Sequence, residues 1–146
     1  MKEHVKTIHV AVVILIMIFI FIQSALPADL SSMESNVIVQ MLAQFVSIDP
    51  ESISFVVRKA AHFTEYLILG CALVPVMREH GKKAILAWLI GSAYAVTDEI
   101  HQYFVSERSC EIQDMCIDSC GVLVGVLIVL LIIRLWAVRA RKQRIT

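Results

Sequence analysis

The sequence predicts an all-α, polytopic membrane protein with about four transmembrane helices and a short extracytoplasmic amphipathic helix. Hydrophobic residues make up 58% of the 146 positions, and the mean hydropathy is +0.76. Soluble domains are about 45–50% apolar, so this excess indicates lipid surroundings. Four long apolar runs follow one another, and polar or basic segments separate them. The length fits a single membrane domain over 1–146.

The first apolar run, at about 5–26, predicts a transmembrane helix that is not removed as a signal peptide. The residues near its end do not suit cleavage by a signal peptidase. Pro27 ends this helix. A more polar segment follows, in which apolar residues recur at helical spacing over about 35–48. This pattern predicts a short amphipathic helix that lies along the outer membrane interface and does not cross.

Three further spans follow. Asp49-Pro50-Glu51 is typical of a helix start, with an N-cap, a proline in the first turn and an acid near the positive end of the helix dipole. The spans are predicted at about 55–77, 84–104 and 112–136.

The distribution of basic residues predicts the topology. Ten of the thirteen Lys and Arg residues lie at the N-terminus, in the turn at 78–83 and in the C-terminal tail. Because cytoplasmic segments are enriched in these residues, we expect a multi-pass plasma-membrane protein with both termini in the cytoplasm. The formal net charge of zero excludes a broad nucleic-acid-binding surface.

Polar residues complete the outer end of each later span and form a candidate ligand-binding cluster. Its members are Arg58, Lys59, His62, Glu65, Tyr66, Asp98, Glu99, Gln102, Arg108, Asp114 and Asp118. At roughly 1.5 Å per residue, several of them lie about 5–10 Å below the outer surface. Intramembrane charges are expensive and normally face the interior of a helix bundle, so we expect a polar pocket that opens to the outside.

These residues also form three motifs that resemble those of the VanZ-like membrane proteins over about residues 10–130. The motifs are Arg58-Lys59-x-x-His62-Phe63-x-Glu65-Tyr66-x-x-x-Gly70, Asp98-Glu99-x-x-Gln102-x-Phe104-x-x-x-Arg108 and Asp114-x-x-x-Asp118-x-x-Gly121-x-x-x-Gly125. The sequence departs from the family at Ser106-Glu107, where members often have Pro-Gly, so the turn geometry there is expected to differ. The resemblance implies a link to glycopeptide resistance of the teicoplanin type.

Three functions fit these observations. The pocket could bind or modulate an amphiphilic cell-envelope ligand, such as a membrane lipid, a lipid-linked cell-wall precursor or a lipoglycopeptide. The protein could instead be an intramembrane enzyme that acts on a lipid-linked substrate, with Glu65 or Asp98 as general base. It could also be a structural membrane subunit. Because no nucleophile near the cluster has a clear base partner, the sequence favours binding over catalysis. It carries no indication of oligomeric state.

The chemistry of the cluster leaves two further alternatives open. His62, Glu65, Asp98, Glu99, His101 and Asp118 offer nitrogen and oxygen ligands for a divalent metal. No zinc-binding motif organises them, and ion pairs with the basic residues explain them equally well, so no metal and no cofactor is assigned. Lys59 and Arg108 could bind a lipid phosphate, or each could pair with a carboxylate.

Overall fold

The computed structural model describes residues 2–26, 39, 49–80, 82–106 and 108–143. These residues form four α-helices and no β-strand, which confirms the all-α fold class for this part of the chain. The helices are α1 (Lys2–Ala25), α2 (Pro50–Glu79), α3 (Ile85–Gln102) and α4 (Ile112–Gln143). The amphipathic helix predicted at 35–48 lies outside the described residues, apart from Val39.

Three of the four helices, α1, α2 and α4, are long and apolar enough to cross a membrane. The exception is α3, which has 18 residues and is therefore about 27 Å long, slightly short of a hydrocarbon core of about 30 Å. Its 18 residues are also less apolar than the most apolar 18-residue stretch of each longer helix, because its last turns carry Asp98, Glu99, His101 and Gln102. That α3 crosses the membrane stays a prediction, because the only support for it is the position of α3 between two longer helices.

Local chemistry fixes where α2 begins, as the sequence predicts. The side chain of Asp49 accepts a hydrogen bond of 3.1 Å from the backbone N–H of Ser52, and Pro50 occupies the first turn. This arrangement satisfies one of the free N–H groups at the helix start.

Helices α2 and α4 pack closely because glycines remove the side chains between them. A Cβ atom on Gly121 would lie 2.5 Å from the carbonyl oxygen of Phe63, and one on Gly125 would overlap the carbonyl oxygen of Leu67. Small residues allow this approach between membrane helices. The close contact brings the polar side chains of α2 and α4 together at one end of the bundle.

The bundle has two chemically different ends. At the basic end, where Lys6 and Arg78 lie, His9 Nδ1 is 2.7 Å from Glu79 Oε1, so α1 and α2 are antiparallel. At the opposite end, called the polar end below, α1 and α3 finish and α2 and α4 begin. Most of α1 is exposed on the outside of the bundle.

Candidate functional site

Helix α3 brings two adjacent carboxyl groups into the polar end. Asp98 and Glu99 are 2% and 0% exposed, and Gln102 is 4% exposed. Asp98 Oδ2 accepts a hydrogen bond of 2.7 Å from Ser24 Oγ of α1, and a longer one of 3.5 Å from Gln102 Nε2. Glu99 turns the other way, and its Oε2 accepts a 3.0 Å bond from the backbone N–H of Glu111. The two carboxyl groups therefore serve different neighbours, α1 and the start of α4.

Helices α2 and α4 complete the cluster from the other side. Tyr66 and Asp118 are both fully buried. His62 Nδ1 lies 3.9 Å from Asp118 Oδ1, which is too long for a hydrogen bond. The Tyr66 ring packs at a tilt against the ring of Tyr94, with their centroids 6.2 Å apart. We call His62, Tyr66, Asp98, Glu99, Gln102 and Asp118 the polar cluster.

Most of the polar cluster has buried atoms that make no hydrogen bond within the described part of the chain. These atoms are His62 Nδ1, Tyr66 Oη, Asp98 Oδ1, Glu99 Oε1 and both carboxyl oxygens of Asp118. In folded proteins roughly 90% or more of buried polar groups have a partner. The side chains of the polar cluster therefore leave much of their hydrogen-bonding capacity unused, and most of that capacity is for accepting bonds.

The basic residues beside the cluster have partners of their own. Lys59, with a side chain 11% exposed, forms ion pairs with Asp114 and with Glu111 at 3.1 Å. The hydrogen bond from Lys59 lowers the pKa of Glu111 below its ordinary value. Lys59 is thus committed to carboxylates at the start of α4, which is one of the two roles that the sequence left open.

Arg108 has partners that the sequence did not suggest. Its Nε donates a 2.9 Å hydrogen bond to the carbonyl oxygen of Leu26, and its Nη2 donates to the carbonyl of Gln23 at 3.4 Å. Nη1 donates to Gln102 Oε1 at 3.4 Å. The guanidinium therefore satisfies carbonyl groups at the C-terminal end of α1, where a positive charge is favourable.

Five residues of the predicted set lie outside the polar cluster: Lys59, Arg108 and Asp114, whose contacts are described above, and Arg58 and Glu65. Arg58 is exposed. Glu65 is half-buried and lies between α1 and α2, where it interacts electrostatically with Asp98 and Arg108. It lines a groove of about 260 Å³ whose other walls are apolar. The groove is formed by Val12, Leu15, Ile16, Phe19, Ile20, Glu65 and Ile68.

Sequence reasoning missed Ser24 and Glu111. Ser24 is 2% exposed, and its only signal in the sequence is a hydroxyl near the end of an apolar helix. His101, which the sequence offered as a metal ligand, packs its ring against Phe21 with centroids 4.3 Å apart. Within the described ranges, no group of three or more His, Cys, Asp or Glu residues is placed to hold a metal ion.

Apolar helices that surround a buried polar cluster define a helical membrane protein with a polar interior at one end. Comparison with known proteins then assigns the family. The model of the VanZ/LLP1 family matches residues 9–134, and the chain belongs to this family. This match confirms the resemblance that the three motifs carry. No curated protein and no solved structure matches the chain.

Proposed function

We propose that this protein binds or modulates an amphiphilic ligand of the cell envelope, and thereby contributes to glycopeptide resistance of the teicoplanin type. The ligand would be a membrane lipid, a lipid-linked cell-wall precursor or a lipoglycopeptide. The distribution of Lys and Arg supports a plasma-membrane location with both termini cytoplasmic, which turns the polar end to the outside. Membership of the VanZ/LLP1 family supports the link to resistance.

The observation that carries this proposal is the groove between α1 and α2. Its walls are apolar from Val12 to Ile20, a length of about 12 Å along α1. Because α1 and α2 are antiparallel, Glu65, the one ionisable residue among the described lining residues, lies at the polar end of the groove. An aliphatic chain fits the apolar walls, and a polar headgroup would then lie beside Glu65. The volume is slightly below that of drug-sized pockets, which start at roughly 300 Å³, and suits a single chain.

The experiment that tests the proposal compares two tryptophan substitutions on α1. Leu15 lines the groove and is 64% exposed, whereas Ile22 does not line it and is 54% exposed. A strain that lacks the gene is complemented with wild type, Leu15→Trp or Ile22→Trp, and susceptibility to teicoplanin-type lipoglycopeptides is measured. We expect Leu15→Trp to behave like the deletion and Ile22→Trp like wild type, with equal amounts of protein in the membrane. A deletion strain with unchanged susceptibility would refute the proposal.

One contact favours the enzymatic alternative. Ser24 Oγ donates a 2.7 Å hydrogen bond to Asp98, so a hydroxyl that sequence reasoning overlooked has a carboxylate as base partner. If this pair acted on a lipid-linked substrate, purified protein would convert a component of a lipid extract, and Ser24→Ala would abolish the conversion. Equal conversion by wild type and Ser24→Ala would exclude Ser24 as a nucleophile.

A further inference from the structure

The charges beside the groove are unbalanced in a way that indicates the chemistry of the headgroup. Glu65 interacts electrostatically with Asp98, and Asp118 interacts with both. Asp98 Oδ1 and the two oxygens of Asp118 are buried and accept no hydrogen bond from the described residues. Glu65, which lines the groove, is therefore backed by two further carboxyl groups that are buried inside the bundle.

The two basic residues of the site do not offset this excess by hydrogen bonding. Lys59 pairs with Asp114 and Glu111, and two of the three hydrogen bonds that Arg108 makes to described residues go to backbone carbonyls at the end of α1. The third reaches the amide oxygen of Gln102. An anionic headgroup, such as a phosphate, would have to share Lys59 and Arg108 with these partners, and it would lie close to several carboxyl groups.

We infer that the ligand of the groove is a cationic amphiphile, with an aliphatic chain between α1 and α2 and a primary ammonium at Glu65, the carboxyl group that lines the groove. This inference rests on the proposed function, because it names the class of ligand for the same groove. An ammonium carries three N–H donors and a positive charge, and it therefore supplies both the donors and the charge that the carboxyl groups lack. In surroundings of low dielectric constant the attraction between the ammonium and these carboxyl groups is much stronger than in water.

Hydrogen bonding and charge together predict an order of affinity for amphiphiles that have the same aliphatic chain and differ in the headgroup. A long-chain primary amine should bind most tightly, the corresponding alcohol less tightly, and the alkyl phosphate least. A hydrogen bond that involves a charged group differs from a neutral one by enough to change affinity by about tenfold or more. Apolar burial of the chain is common to all three probes and does not affect the order.

The test is equilibrium binding of radiolabelled hexadecylamine, hexadecanol and hexadecyl phosphate to the full chain in nanodiscs of zwitterionic lipid, after subtraction of binding to empty nanodiscs. We expect the amine to bind about tenfold or more tightly than the alcohol. Glu65→Gln should remove most of this preference. Leu15→Trp should weaken all three probes, and Ile22→Trp should weaken none.

The outcomes of this test distinguish the inference about the cationic headgroup from the proposed function. Equal binding of all three probes, with Leu15→Trp weakening each, would overturn the inference about the cation and support the proposed function. Tighter binding of the phosphate would overturn the inference as well. No saturable binding of any probe would count against both. The ranking in wild type needs no variant, so a folding defect in Glu65→Gln would not prevent the test.

Discussion

Replacing Lys59 with methionine removes the cation that pairs with Asp114 inside the polar end. The side chains of Lys59 and Asp114 are only 11% and 13% exposed. Losing one partner of a buried ion pair leaves the other charge without compensation and costs about 3–5 kcal/mol. The second acid, Glu111, is 46% exposed and can regain water. We therefore expect Lys59→Met to lower the free energy of unfolding by about 3 kcal/mol.

The chain contains a matched control for this substitution. Lys6 and Glu3 form an ion pair of 2.9 Å whose side chains are 35% and 84% exposed. Exposed pairs contribute about 0–1 kcal/mol, so Lys6→Met should have little effect. Unfolding is followed by circular dichroism as dodecyl sulfate is added to the protein in mixed micelles. The comparison isolates the effect of burial, because both variants exchange the same two residue types.

A double substitution shows whether the loss comes from the uncompensated charge. Because two apolar side chains can replace a buried ion pair with little loss, Lys59→Met combined with Asp114→Leu should recover most of the stability. Equal effects of Lys59→Met and Lys6→Met would refute the reasoning. So would a double variant that is no more stable than Lys59→Met.

Two further predictions concern packing and pH. Gly125→Ala should lower the free energy of unfolding by about 1–3 kcal/mol, because the added Cβ meets the backbone of α2 and no rotamer change relieves the overlap. The control is Val124→Ala, at a position 37% exposed, which should lower it by less than about 0.5 kcal/mol in the same titration. Because the pKa of Glu111 is lowered from its ordinary value of 4.5, its bond to Lys59 stabilises the protein fully when the pH is above 4.5. This contribution is lost as the pH falls below that value. The free energy of unfolding is measured well above and well below that pH, and wild type should lose more of it at the lower pH than Glu111→Gln does. Equal losses in the two proteins would contradict the role given to the Glu111–Lys59 bond.

The apolar runs, the caps and the small residues made much of the architecture predictable. A proline after an aspartate identified the start of α2, and Gly121 and Gly125, four positions apart in the third motif, lie on the face of α4 that approaches α2. These features act over a few residues along the chain. Local chemistry therefore suffices to predict them.

Contacts between distant segments were not predictable in the same way. Ser24 and Asp98 are 74 positions apart, and no pattern in α1 indicates that a single hydroxyl is a donor to a carboxyl group on α3. The acceptors of Arg108 are backbone carbonyls, which every sequence has, so residue identity gives no sign of them.

The division of α2 into two faces was also missed. The sequence predicts one pocket for His62 and Glu65, but residues three positions apart are separated by an angle of about 60° on a helix of 3.6 residues per turn. That angle directs His62 towards Asp118 on α4 and Glu65 into the groove beside α1.

The central claim is that the carboxyl groups of the polar cluster act electrostatically on the groove beside Glu65 to favour a ligand and do not hold the fold together, and Asp118→Asn tests it most directly. Asp118 is fully buried, and neither oxygen accepts a hydrogen bond from the described residues. A buried polar group without a partner costs about 1–3 kcal/mol, more when it is charged. Asparagine at this position is still a buried polar group but carries no charge, so the account predicts that Asp118→Asn does not lower the free energy of unfolding and that it weakens the binding of hexadecylamine in nanodiscs. A variant that is less stable than wild type, or one that binds the amine as well as wild type does, would contradict it.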